Sequence, residues 1–237
     1  MEPSRELGID VAMTDTTELL WHGREAATRG PKPALSVEQI TAAAVAIADQ
    51  HGIGAVSMQA VADSVGFTKM SLYRYVQSKD ELLAVMIEQA VGEPPTFTPN
   101  QPWRSRIDTW AQQLAEVWRR HAWLPQAAVG HRAMGPREIS WSEYVLRALG
   151  ELRLTPSERV DVTFMLFGHL RNTQSLETAG TQAWNEPGHR ELMTQRPDDF
   201  PAMVEATATP PSDDFGRRLG LRLILNGVQA LHDSRAR

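Results

Sequence analysis

The side chains best equipped for chemistry stand together in FTKMSLYRYVQSKDELL, Phe67 to Leu83. Lys69, Arg74 and Lys79 bring positive charge, and Thr68, Ser71, Tyr73 and Tyr75 bring hydroxyls. No carboxylate interrupts them before Asp80. Cations and hydroxyls without a neighbouring acid can grip phosphate oxygens and can also hydrogen-bond to base edges. Elsewhere the chain offers little reactive chemistry. Cys is absent, which removes thiolate metal sites, disulfides and a Cys nucleophile. His121, His131, His169 and His189 lack tight ligand spacing, so no metal is expected. Asp161 and His169 lie two helical turns apart, no Gly-rich phosphate loop occurs, and no nucleophile is paired with a base. Neither enzyme activity nor a cofactor is expected.

The elements that must position the cationic stretch are read from caps and helical spacing. Ser36 with Gln39 makes an S-x-x-Q capping box for a helix burying Val37, Ile40, Ala44 and Ile47, ended by Gly52 and Gly54. Ser57 is an N-cap for a short helix with Met58, Val61, Ala62 and Val65 on one face. Gly66 follows, where a tight turn calls for φ above zero. Thr68 caps a third helix over 69–75, and Ser78 with Glu81 boxes a fourth that ends near Val91. Residues 1–35 carry no sustained period and read as a flexible arm whose Arg24, Arg29 and Lys32 could enter a minor groove or be merely solvated.

Helix, glycine turn, helix over 57–76 is a helix-turn-helix pattern. The second helix would expose Lys69, Ser71 and Arg74 while Leu72 and Val76 point inward. Lys69 can donate to guanine, Ser71 can pair with either kind of edge, and Met70 can touch a thymine methyl. Tyr73, Tyr75 and Lys79 can bond phosphates. The same pattern also fits a surface amphipathic helix with two half-buried tyrosines. The net charge of −5 argues against nucleic acid only if charge is averaged over the chain, and binding follows its distribution instead.

Residues Val56 to Met86 resemble the signature of TetR-family transcriptional regulators: a Gly turn (Gly66), then Leu72, Tyr73, Tyr75 and Val76, then Ser78, Lys79, Asp80 and Leu82. The resemblance spans about 36–92. It implies base reading by Lys69, Met70 and Ser71, and phosphate contacts by Tyr73, Tyr75 and Lys79 with help from Ser57 and Thr68. It further implies a homodimer on a palindromic operator in double-stranded DNA, most often as a repressor released by a small-molecule effector.

The proline-rich GEPPTFTPNQP, Gly92 to Pro102, reads as a boundary between a DNA-binding domain over 36–92 and a helical domain over 103–237. Trp103, Ile107, Trp110, Leu114, Val117 and Trp118 form a wide apolar stripe, and Pro125 stops that helix or the next. Pro136 opens a helix to about Leu152, and Thr155, Pro156 and Glu158 open a long one to about Gly180. After an irregular stretch over 181–211, Ser212 caps a last helix to about His232. No strand alternation is seen, so the chain is expected to be all-α.

This layout is similar to the ligand-binding and dimerisation domain of the branch that includes the tetracycline repressor. Pro95 and Trp110 stand where that repressor has its drug-binding His and Asn, which argues against tetracycline itself. Trp110, Trp118, Phe164, Phe167 and His169 are the candidates for a pocket that takes an apolar or aromatic ligand; they could equally be core. An alternative is a DNA-binding regulator whose second domain only dimerises or binds a protein partner. No apolar run approaches the roughly 20 residues of a membrane span. The start, MEPSRELGIDVAMTD, lacks the basic and apolar regions of a signal peptide, so a cytoplasmic location is expected.

Overall fold

The computed structural model describes residues 15–23, 35–179, 186–209, 214 and 216–236. Among these every regular element is helical and no strand occurs, as expected. Helix α1 covers 15–22. Then follow α2 (Val37–His51), a 3-10 turn (Ile53–Ala55), α3 (Met58–Val65), α4 (Lys69–Leu72) and α5 (Lys79–Val91). Beyond them come α6 (Trp103–Arg120), α7 (Leu124–Ala127), α8 (Pro136–Leu149) and α9 (Pro156–Ala179). The last three are α10 (Pro187–Thr194), α11 (Pro201–Thr207) and α12 (Arg217–Ser234). Backbone contacts group the chain into two compact units, Met1–Val145 and Leu146–Arg237, so the proline-rich stretch lies inside the first and the division falls within α8.

In the first unit the capping box of α2 is closed in both directions. Ser36 Oγ accepts from the Gln39 backbone at 3.2 Å, and Gln39 Oε1 accepts from the Ser36 backbone at 2.9 Å. Such caps are worth about 1 kcal/mol each. Ile40, Ala44 and Ala48 bury the inner face of α2 against α3 and α5. Helix α5 is enclosed on several sides, with Leu82, Met86 and Ile87 essentially inaccessible, because α2, α6 and α7 all pack on it.

Two local expectations are corrected. Residues 15–22, read as part of an aperiodic arm, are helical. Leu19 is buried and Trp21 Nε1 donates to the Met134 carbonyl at 3.1 Å. So short a segment has little helical stability of its own and draws it from a contact far along the chain. Pro125 sits in the first turn of α7, where its missing N–H is harmless, and does not terminate a helix. Arg24, Arg29 and Lys32 lie outside the described residues.

The second unit is built on α9 against α12. The cap of α9 forms as its sequence predicts. The Thr155 backbone donates to Glu158 Oε2 at 2.7 Å and the Glu158 backbone to Thr155 Oγ1 at 3.3 Å. Glu158 also receives both Arg235 amino groups, at 2.6 and 2.7 Å, which ties the end of α12 to the start of α9. Along the same pair, His169 Nε2 donates to the Arg217 carbonyl at 2.8 Å, and the imidazole occupies the space a Cβ on Gly220 would take. Helix α12 begins at Arg217 rather than near Ser212, which is outside the described residues. Asp214 receives the Gly216 and Arg218 backbone N–H groups, each at 3.2 Å.

The Arg235 hydrogen bonds, followed by the Thr155 backbone, lower the Glu158 carboxyl from the ordinary 4.5 to about 2. The stability this carboxylate brings is therefore complete above the unfolded value of 4.5 and is lost as pH falls toward 2. Glu158→Gln is expected to flatten that part of the acid-denaturation profile, read by circular dichroism, and to leave the profile above pH 5 parallel to the wild type.

Val160, Phe164 and Met165 on α9 and Leu219, Leu223 and Leu231 on α12 are all exposed, Phe164 at 71%. Large apolar side chains are thus left exposed on both helices of the packed pair.

Candidate nucleic-acid interface

The cationic stretch is presented by α3, a glycine turn and α4. Ser57 Oγ caps α3 by accepting from the Ala60 backbone at 3.1 Å. Helix α3 ends at Gly66, whose φ of +74° lies in the left-handed region that favours glycine. The Phe67 backbone then closes the turn onto the Ala62 carbonyl at 3.0 Å. Thr68 Oγ1 caps α4 through the Ser71 backbone at 3.2 Å and lies 2.9 Å from Ser71 Oγ. The α4 helix is shorter than the 69–75 expected. After Leu72 the chain tightens into turns, with the Tyr75 and Val76 backbones donating to the Leu72 carbonyl at 2.8 and 2.9 Å.

Leu72 and Val76 are wholly inaccessible and pin this short element, which packs on α3. Opposite them, Ser57, Thr68, Lys69, Met70, Tyr73 and Lys79 are exposed and Ser71 and Tyr75 half-buried. Met70 reaches 74% exposure, far more than a methionine serving a core would have. Lys69 Nζ lies 5.8 Å from the Tyr73 ring centroid. The nearest preceding acid, Asp63, is engaged by Gln59 Nε2 at 2.7 Å. Of the next two, Glu81 is buried and accepts from the Gln77 backbone at 3.1 Å. What the surface offers is one short helix with cationic, hydroxyl and thioether tips outward, flanked by Lys79 at the start of α5.

Three ties that sequence spacing does not reveal hold this region to the helices beyond it. Asp49 of α2 accepts from Trp123 Nε1 at 2.7 Å and from His121 Nδ1 at 2.9 Å. Glu88 of α5 caps α8, receiving the Arg137 backbone at 2.7 Å and the Glu138 backbone at 3.2 Å. Gly135 lies so close to the Glu88 carboxylate that a Cβ would overlap it. Trp141 Nε1 donates to the Gly92 carbonyl at 3.0 Å, which fastens the end of α5.

The aromatic residues read as a ligand pocket fall on both units. Trp110 is inaccessible and its Nε1 donates to the Trp141 carbonyl at 3.0 Å; Trp118 is buried on the same helix. Phe164, Phe167 and His169 lie on α9, where Phe164 is exposed and Phe167 and His169 half-buried. No helix among the described residues is long and apolar enough to cross a membrane.

Residues 40–86 match the family model described as "Bacterial regulatory proteins, tetR family", and residues 95–232 match "Tetracyclin repressor-like, C-terminal domain". The chain is 32% identical over 232 residues to the HTH-type transcriptional repressor DrrR1 of Streptomyces coeruleorubidus, covering 91% of this chain and 85% of the relative. It is 26% identical over 190 residues to an HTH-type transcriptional regulator of Saccharopolyspora erythraea, covering 78% and 80%. In fold it is similar to the crystal structure of the Streptomyces coelicolor TetR family protein ActR in complex with (S)-DNPA. The TM-score is 0.73 and the identity 23%, over 86% of this chain and all of that one.

Proposed function

Because the chain belongs to the tetR family of bacterial regulatory proteins, we propose that it is a cytoplasmic, homodimeric repressor that reads a palindromic operator through α4 and leaves it when a small aromatic ligand binds. The observation that carries this reading is the outward face of α4, with Lys69, Met70 and Ser71 free of any flanking carboxylate from Ser64 to Lys79. In this proposal those three residues meet base edges, and Tyr73, Tyr75 and Lys79, assisted by Ser57 and Thr68, bond phosphates. DNA reading is assigned to 36–92 and ligand binding with dimerisation to 103–237. The repressor function named for DrrR1 and the ligand named for ActR support the same assignment.

Dimerisation is assigned to the exposed faces of α9 and α12, so Phe164 belongs to a subunit interface rather than to a pocket. A two-fold dimer spaces its reading helices about 34–36 Å apart, one turn of DNA. Phe164→Asp combined with Leu223→Asp is expected to sediment as a monomer; a variant that remained dimeric would place the interface elsewhere.

The proposal as a whole is tested by capturing genomic fragments on the immobilised full chain at modest salt. Enrichment of one palindromic sequence is the expected result. Capture that tracks fragment length alone would refute it.

A further inference from the structure

The two hydroxyls at the start of α4 share protons in a way that limits what one of them can read. Thr68 Oγ1 accepts the Ser71 backbone N–H at 3.2 Å and lies 2.9 Å from Ser71 Oγ. At that separation the two hydroxyls are hydrogen-bonded, and one of them must be the donor. Other helical hydroxyls, such as those of Thr41 and Ser140, donate instead to the backbone carbonyl one turn back, each at 2.7 Å. Ser71 makes no such bond, and among the described residues neither hydroxyl has a partner beyond these two contacts. Thr68 is exposed, with Ser71 half-buried beside it.

A hydroxyl has one proton and two lone pairs. One lone pair of Thr68 Oγ1 is committed to the Ser71 N–H. If Thr68 donates to Ser71, Ser71 keeps a proton to offer. If Ser71 donates to Thr68, Thr68 turns its own proton outward and Ser71 presents lone pairs alone. A phosphodiester decides between the two arrangements, because it carries no proton and can only accept. No carboxylate between Ser64 and Lys79 competes for the Thr68 proton. A hydrogen bond to an ionised oxygen is roughly twice as strong as one between neutral groups. Contact with a phosphate therefore draws the Thr68 proton outward and the Ser71 proton onto Thr68.

We propose that Thr68, by holding the Ser71 proton, makes Ser71 an acceptor-only reader that selects adenine or cytosine on the strand it faces. Adenine N6 and cytosine N4 are donors in the major groove, whereas guanine O6 and thymine O4 would meet the Ser71 lone pairs oxygen to oxygen. Thr68 is then a positioning residue for specificity as well as a phosphate contact. The inference rests on the reading of α4 as the base-reading element and narrows the partner of Ser71 from either kind of edge to one.

The test selects duplexes with the full chain from libraries in which each base pair of the captured fragment is randomised in turn. Wild type is expected to enrich A or C over G or T, about three- to tenfold, at one position of each half-site. Ser71→Ala should flatten that position and leave the others unchanged. Thr68→Ser keeps the hydroxyl and should keep the preference. Thr68→Gly, which a helix start tolerates well, should weaken binding generally and admit G and T at that position, since the Ser71 proton is then free to donate. Circular dichroism of the same preparations checks that each variant is folded. A Ser71-dependent position that prefers G or T, no position that responds to Ser71→Ala, or an A-or-C preference retained in Thr68→Gly would each overturn the inference. Any of these with a defined site still selected sinks this inference alone, whereas a wild-type chain that enriches no sequence sinks the parent reading.

Discussion

Replacing Trp110 by alanine is expected to destabilise the protein by about 3 to 5 kcal/mol, the range for removing a large aromatic from a packed core. The indole is wholly inaccessible, so the truncation opens a void that its neighbours fill only in part. Its N–H also donates to the Trp141 carbonyl, and that bond is lost. Urea unfolding followed by circular dichroism reads the loss as a lower midpoint. Trp21 provides the control: it is 46% exposed, so its alanine variant should lose far less. A Trp110→Ala loss below about 1 kcal/mol would be that of a tolerant wall rather than a core residue.

Leu72→Ala is the second large effect, expected at about 2 to 5 kcal/mol. The four-residue α4 has almost no helical stability of its own, since a helix this short barely repays its nucleation. Its place is fixed by Leu72 and Val76, both fully inaccessible, and by the Thr68 cap. Loss of Leu72 thus removes the main anchor of the reading surface. DNA binding should fall with folding, although Leu72 itself faces away from any nucleic acid. Domains of this size have only about 5 to 15 kcal/mol in hand, so a sizeable part of the stability is at stake. Equal loss of unfolding midpoint and operator affinity is the expected signature; full stability with lost affinity would mean that Leu72 touches DNA.

Much of the DNA-reading region was legible because its signals are local. Ser36, Ser57, Thr68 and Ser78 each announce a helix start by cap chemistry acting over three residues, and all four caps form. Gly66 announces a left-handed turn for the same reason. What stayed hidden depends on partners distant in sequence. Nothing near Asp49 forecasts that Trp123 and His121 will reach it, and nothing near Glu88 forecasts that it will cap α8. Residues 15–22 became helical through a contact with Met134. On α9 the near-continuous apolar run from Val162 to Leu170 gave no single face, so the sequence could not separate Phe164, which is exposed, from Leu166 and Leu170, which are core. Trp110 and Trp118 are candidates for a pocket or for core, and composition cannot divide the two; both are buried, Trp110 with its indole N–H on the Trp141 carbonyl.

The central claim is that α4 reads bases while the residues around it hold phosphate. It is tested most directly by measuring wild type, Lys69→Ala and Lys79→Ala on the captured fragment and on a scrambled duplex across a salt series. Wild type should prefer the captured fragment. Lys69→Ala should lose about 1 to 3 kcal/mol of that preference, and Lys79→Ala should weaken both duplexes alike and reduce the salt slope by about 1. Equal wild-type affinity for the two duplexes, or both variants keeping full affinity and preference, would contradict the account.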